Sequence, residues 1–168
     1  AMTNLATVSA ATNVFLFDST TGHTTLLNQR VTPSATDAVS LGDGNARAPI
    51  VAPDGATVAF ESDATNLDVL RTDSNRKTDV FLVEVGQLAD GLVLPYRFSV
   101  SANEGGDGNG DSTRPVMGVF TDTSNFQVGF AAYSTTANNL GTSDSTSVMV
   151  TFLDETSGVI VNFTADTV

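Results

Sequence analysis

Oxygen-bearing side chains at alternating positions are the most pointed chemistry in this sequence. Asp107-Gly108-Asn109-Gly110-Asp111 sets a carboxylate, an amide and a second carboxylate two residues apart, with glycines between them. The pattern matches the opening of Asp-x-Asn-x-Asp calcium loops, because Ca2+ takes roughly six to eight oxygen ligands from carboxylates, amides and carbonyls on a flexible loop. A second loop, Asp73-Ser74-Asn75-Arg76-Lys77-Thr78-Asp79, offers Asp73, Asn75 and Asp79 to the same ion, although Arg76 and Lys77 dilute the negative field. Both loops also have a simpler explanation. In Asx turns the side chains of Asp and Asn accept from nearby backbone amides and Gly supplies positive φ. On that account Asp79 and Asn75 fasten the second loop to the strand that follows. Calcium is thus the cofactor to test, with structural turns as the competing expectation.

Catalysis has less material. There is no Cys, which excludes thiol nucleophiles, thiolate zinc sites and disulfides. The single His23 lies in Thr21-Gly22-His23-Thr24, a hairpin tip between Phe17 and Leu26, with no second His or Cys to partner it. A Ser-His-Asp triad is not supported by any spacing around it. Fifteen Asp and four Glu supply carboxylate pairs for a glycosidase or lyase, but an acidic chain supplies such pairs by chance. Arg47 and Arg114, just before Pro49 and Pro115, are the basic residues such a site would use; loop anchoring explains them equally. No catalytic residue is assigned. Seven basic residues against nineteen acidic ones give a net charge of −12, which repels nucleic-acid phosphates and anionic lipid alike. No apolar run approaches the length that spans a bilayer, so neither nucleic acid nor membrane insertion is expected.

The elements that must carry these loops are strands. One Lys and four Glu against 24 Thr is poor in helix formers and rich in residues that suit strands and Ser/Thr turns. Short apolar runs stand between Gly, Asn, Asp and Ser clusters: Val14 to Phe17, Thr57 to Phe60, Val80 to Val85, Leu92 to Val100, Phe126 to Tyr133, Val148 to Leu153 and Val159 to Phe163. Val14-Phe15-Leu16-Phe17 and Val80-Phe81-Leu82-Val83 do not alternate, which predicts strands covered on both faces.

Internal repetition says what covers them. Val58 to Leu67 aligns without gaps on Ala131 to Leu140, and Thr3-Asn4-Leu5 is a partial third copy. Gly42-Asp43-Gly44-Asn45 reads again as Gly106-Asp107-Gly108-Asn109, and Pro49 as Pro115. Asn13-Val14-Phe15-Leu16, Asp79-Val80-Phe81-Leu82 and Ser147-Val148-Met149-Val150 fill one slot three times. In that loop alignment Arg47 falls where Asp111 stands, so a metal site is not a property of every copy. The unit is a Gly-Asp-Gly-Asn loop, a short strand after Pro, a turn, a strand ending in Asn-Leu, a polar loop, an apolar strand and a hairpin. Four strands per unit describe the blade of a β-propeller.

Pro49 to Phe60, Ala64-Thr65-Asn66-Leu67, and Asp73-Ser74-Asn75 leading into Asp79-Val80-Phe81 together resemble the TolB-like, or PD40 (WD40-like), family of propeller repeats. The likeness covers most of the chain and weakens in the last copy, where Thr121 to Asn125 replaces Pro53-Asp54-Gly55. The expected organisation is one all-β repeat domain, with a partial unit over 1–41 and units over 42–105 and 106–168; a β-sandwich is the alternative. About two and a half units do not close a ring of roughly four to eight blades, so the chain is expected to self-associate or to belong to a longer one. The resemblance implies a non-catalytic module that binds protein or glycan, with a carboxylate glycosidase or lyase, or a calcium-binding structural repeat, as alternatives. An acidic, Lys-poor β-repeat chain without Cys suits an extracytoplasmic, bacterial setting.

Overall fold

The computed structural model describes residues 12–31, 39–68, 71, 73–99, 106–121, 127–140, 147–153 and 161–166. Among the described residues it is all-β apart from one 3-10 turn, Val85–Asp90, which Gly91 closes at φ 75°. Twelve strands among them form four antiparallel sheets. β1 (Phe15–Asp18) and β2 (His23–Leu26) make a ribbon, and β3 (Gln29–Arg30) and β4 (Ser40–Leu41) a smaller one. β5 (Ala46–Val51), β6 (Thr57–Ser62), β7 (Asp79–Glu84) and β8 (Tyr96–Arg97) follow one another across the first four-stranded sheet. β9 (Ser112–Thr121), β10 (Gln127–Thr135), β11 (Ser147–Leu153) and β12 (Val161–Asp166) repeat that order in the second. Among the described residues both four-stranded sheets are open rather than closed into a barrel.

The two sheets repeat each other pair by pair. Ile50 faces Ala59 and Ala59 faces Leu82 in the first; Val116 faces Ala132 and Ala132 faces Val150 in the second. Phe60 opposite Phe81 becomes Tyr133 opposite Met149. Each first strand carries a bulge at its proline. Pro49 and Pro115 lie inside β5 and β9, beside Ala48 at φ 50° and Arg114 at φ 57°. The strand was expected to begin after the proline. It begins before it, because the bulge takes up the residue that cannot donate to the ladder. Arg114 therefore matches Ala48, not Arg47. The Leu92 to Val100 run also differs from expectation: only Tyr96–Arg97 pairs as a strand, with Val93 in an isolated bridge to Val31.

Alternation along β6 and β7 splits the core in two. Val58, Phe60, Phe81 and Val83 pack with Val14, Leu27 and the half-buried Leu16 of the N-terminal ribbon segment. From the opposite face Ala59, Val80 and Leu82, with Ile50 beside them, pack on Ala131, Tyr133, Ala137, Leu140 and Met149 of the second sheet. The non-alternating run Val80 to Val83 is thus covered on both faces, as its pattern predicts. Val14 to Phe17 is not. Val14 is buried, yet Phe15 and Phe17 are 46% and 63% exposed, because no described residue lies over that face of β1.

Loop register differs by two residues from the sequence alignment. Gly44 and Gly110 are the matched pair: a Cβ on Gly44 would come within 2.5 Å of the Asp63–Ala64 peptide, and one on Gly110 within 2.6 Å of the Thr136–Ala137 peptide. Gly42 and Gly108 likewise crowd Ala64 with Leu67 and Ala137 with Leu140. Gly42-Asp43-Gly44-Asn45 therefore corresponds to Gly108-Asn109-Gly110-Asp111. Gly106 has nothing nearby.

Candidate functional site

The two loops singled out for calcium meet at the junction of the four-stranded sheets, and the charge between them is a side chain. Arg97, 1% exposed, sends its guanidinium from β8 into a set of three carboxylates. Its Nη2 donates to Asp107 Oδ1, and its Nη1 lies 3.4 Å from Asp73 Oδ1 and 3.5 Å from Asp79 Oδ2. Ser74 closes the contact across the loops, donating its amide (2.7 Å) and hydroxyl to Asp107 Oδ2. Ser99 donates its hydroxyl to Asp79 Oδ1 at 2.6 Å and accepts the Val80 amide. Arg97 Nε and Nη1 and Asp73 Oδ2 are buried without hydrogen bonds.

The expected ligands do not converge on one point. Asn75 is an Asx-turn residue: it accepts the Lys77 amide at 2.6 Å and donates to the Gly108 carbonyl at 2.6 Å and to Asp79 at 3.5 Å. Asp73 Oδ1 accepts the Asn75 amide. Asn109 turns away to Asn138, exchanging one side-chain bond of 2.6 Å and one backbone bond of 2.9 Å. Asp111 Oδ1 accepts the Thr78 amide at 3.0 Å. Among the described residues no group of three or more His, Cys, Asp or Glu is arranged to hold a metal ion. The donor set does not fit calcium: a guanidinium stands among the carboxylates, and most of the remaining oxygens accept from amides and hydroxyls, Asp73 Oδ2 excepted. The fastening role expected for Asn75 and Asp79 is what the geometry contains.

Burial dominates at Asp79 and pushes its carboxyl up to about 6; the Asp73 charge adds to this, while Ser99, Arg97 and Asn75 oppose it. At Asp107 burial also works upward, but the Ser74 hydroxyl and amide and Arg97 outweigh it and hold the group below its ordinary value. The chain contains a neutral version of the same junction. Asn13 stands in the slot of Asp79, Leu26 in that of Arg97 and Asn28 in that of Ser99. Asn28 Oδ1 accepts the Val14 amide at 3.0 Å, as Ser99 accepts from Val80, and Asn28 donates to Asn13 at 2.8 Å. Charge is thus one of two ways to build one joint.

A second repeated device joins successive sheets. Thr12 donates its amide to Asn45 Oδ1, and its carbonyl accepts the Ala46 amide at 3.1 Å. Thr78 donates to Asp111 Oδ1, and its carbonyl accepts the Ser112 amide at 2.7 Å. Asn45 and Asp111 are therefore the same residue of the joint, which the alternating-oxygen pattern presented as a metal ligand. Beside it Arg47 bonds Glu61 at 2.9 Å, Asp63 at 3.1 Å and the Thr78 hydroxyl at 2.9 Å, while Glu61 Oε1 accepts the Arg114 amide. Arg47 anchors the loop, and its guanidinium is committed.

His23 is exposed at the end of the β1–β2 hairpin, where Gly22 takes φ 72° and Asp18 accepts from Thr20 and Thr21. It is exposed as expected, but it opens β2 opposite Asp18 rather than lying in the turn, which ends at Thr21 and Gly22. Sequence reasoning overlooked Arg97, Ser74, Ser99 and Thr78; the signal for Thr78 was present, since Thr12, Thr78 and Thr146 precede the same slot in three copies. No described helix is long and apolar enough to cross a membrane. No protein-family model, curated protein or solved structure matches this chain.

Proposed function

We propose that the chain is a non-catalytic interaction module of β-propeller type, built from stackable four-stranded units, that binds protein or glycan in an extracytoplasmic, bacterial setting. One observation carries the reading: two successive junctions use the same joint in the same order, Thr12 with Asn45 and Ala46, then Thr78 with Asp111 and Ser112. A joint that repeats with its strand register belongs to modules added side by side. Against an enzyme stands the employment of the acidic groups. Asp63, Asp73, Asp79, Asp107, Asp111 and Glu61 all hold arginines, hydroxyls or amides of the scaffold.

The test is a paired screen of the same preparation. Glycan arrays and affinity electrophoresis in polysaccharide gels read binding, and glycosidase and polysaccharide-lyase assays read turnover. Binding without turnover is the expected result. Turnover that disappears in Asp79→Asn or Asp107→Asn would replace the module with a carboxylate enzyme.

A further inference from the structure

The two ends of the stack carry opposite halves of the junction that already occurs twice inside the chain. At the internal junctions one sheet presents an outer row, and the next accepts it with an inner row. The outer row of the first sheet is Ile50, Ala59, Val80 and Leu82, packed on Ala131, Tyr133 and Met149. The inner row of that sheet includes Phe81 and Val83, packed under Val14 and Leu16.

Moved one unit along, both rows reappear less covered among the described residues: Phe15, Phe17 and Val116 are exposed, Val148 and Val150 half-buried, and the small Ala132 buried. Val116, Ala132, Val148 and Val150 occupy in the second sheet the slots of Ile50, Ala59, Val80 and Leu82, with the same cross-strand partners where these are paired. Val116 is 50% exposed, although Ile50 packs against the core in the same slot. Phe130 extends this row, its ring lying across Gly118, where an added Cβ would meet it at 2.4 Å. At the other end, Phe15 and Phe17 occupy in β1 the slots of Phe81 and Val83, and they are exposed where those are fully buried. The named residues of both rows are uncharged, so docking one on the other buries no unpaired charge.

We infer that the Phe15/Phe17 face of one copy docks on the Val116/Ala132/Val148/Val150 face of a second copy, continuing the internal junction between molecules. The contact is head-to-tail, so it generates either a closed ring or an open filament. It rests on the reading of the chain as stackable units, and it adds the partner and the two surfaces. A face-to-face dimer through either end alone would pair like rows and continue neither junction.

Sedimentation velocity across a concentration series tests it, using the full chain and the variants Phe17→Asp and Val116→Asp. The wild type should grow in mass with concentration above monomer, to a closed ring of two copies or beyond, while each variant alone should lose every species above monomer. A mixture of the two variants should give heterodimers and nothing larger, since each lacks a different face. Phe17→Ser and Val116→Ser provide a milder second pair, and a far-UV spectrum confirms that each variant keeps its strands. A monomeric wild type at high micromolar concentration, or variants that fail to complement while folded, would overturn the docking. Those outcomes leave ligand binding untouched, whereas turnover lost in Asp79→Asn would sink the module reading and not the sedimentation result.

Discussion

Asp79 is held by Ser99 and faces Arg97, Asp73 and Asn75, and its chemistry follows from how little water reaches it. Its carboxyl is pushed up to about 6 in the folded chain from an ordinary 3.8, chiefly by burial. A carboxyl raised on folding makes the native state bind the extra proton, so this group's contribution favours folding at low pH and is lost as pH rises from 3.8 through about 6. The difference corresponds to about 3 kcal/mol between the two ends of that window. Asp107 and Asp63, both lowered, act with the opposite sign and lose their contribution only below the ordinary carboxylate range. Urea unfolding should therefore show the wild type more stable at pH 5 than at pH 7. Asp79→Asn, which copies Asn13 of the neutral joint, should show a flatter dependence over the same interval. The comparison is between two proteins because the net charge of −12 adds its own slope to both. Equal slopes in wild type and variant would remove Asp79 as the source.

Strands and loops differ in how much of them the sequence discloses. The all-β composition and the gapless match of Val58 to Leu67 on Ala131 to Leu140 were legible because both copies bury the same alternate side chains. The glycine loop was legible only in type. Gly106-Asp107-Gly108-Asn109-Gly110-Asp111 repeats with a period of two, so composition cannot choose between two registers, whereas the backbone crowding at Gly44 and Gly110 can. Arg97 was hidden for a different reason: it sits in an apolar run, and its counterpart in the ribbon is Leu26, so repetition does not mark it. The register has a direct check. Gly110→Ala should lower stability by about 1–3 kcal/mol, the usual cost of forcing a methyl into a filled space, and Gly106→Ala should be near neutral. Denaturant midpoints read both, and the reverse order would restore the alignment of Gly42 with Gly106.

At the scale of the whole molecule, association sets apolar rows against like charge. Each copy carries −12, so bringing two together costs long-range repulsion even though the docking rows named above are themselves uncharged. Added salt shortens the reach of that repulsion, from roughly 30 Å at 0.01 M to about 8 Å at 0.15 M, and leaves the burial of Phe15, Phe17 and Val116 unweakened. Head-to-tail growth should therefore strengthen as sodium chloride rises over that range, with the weight-average mass at fixed protein concentration increasing. Phe17→Asp should stay monomeric throughout, because screening a repulsion does not restore a missing apolar face. An interface made of complementary charged patches would behave oppositely and dissociate as salt is added. Sedimentation at several salt concentrations separates the two, and a wild-type mass that falls with salt would mean the copies meet through their loops rather than through the apolar rows that include Phe15, Phe17 and Val116.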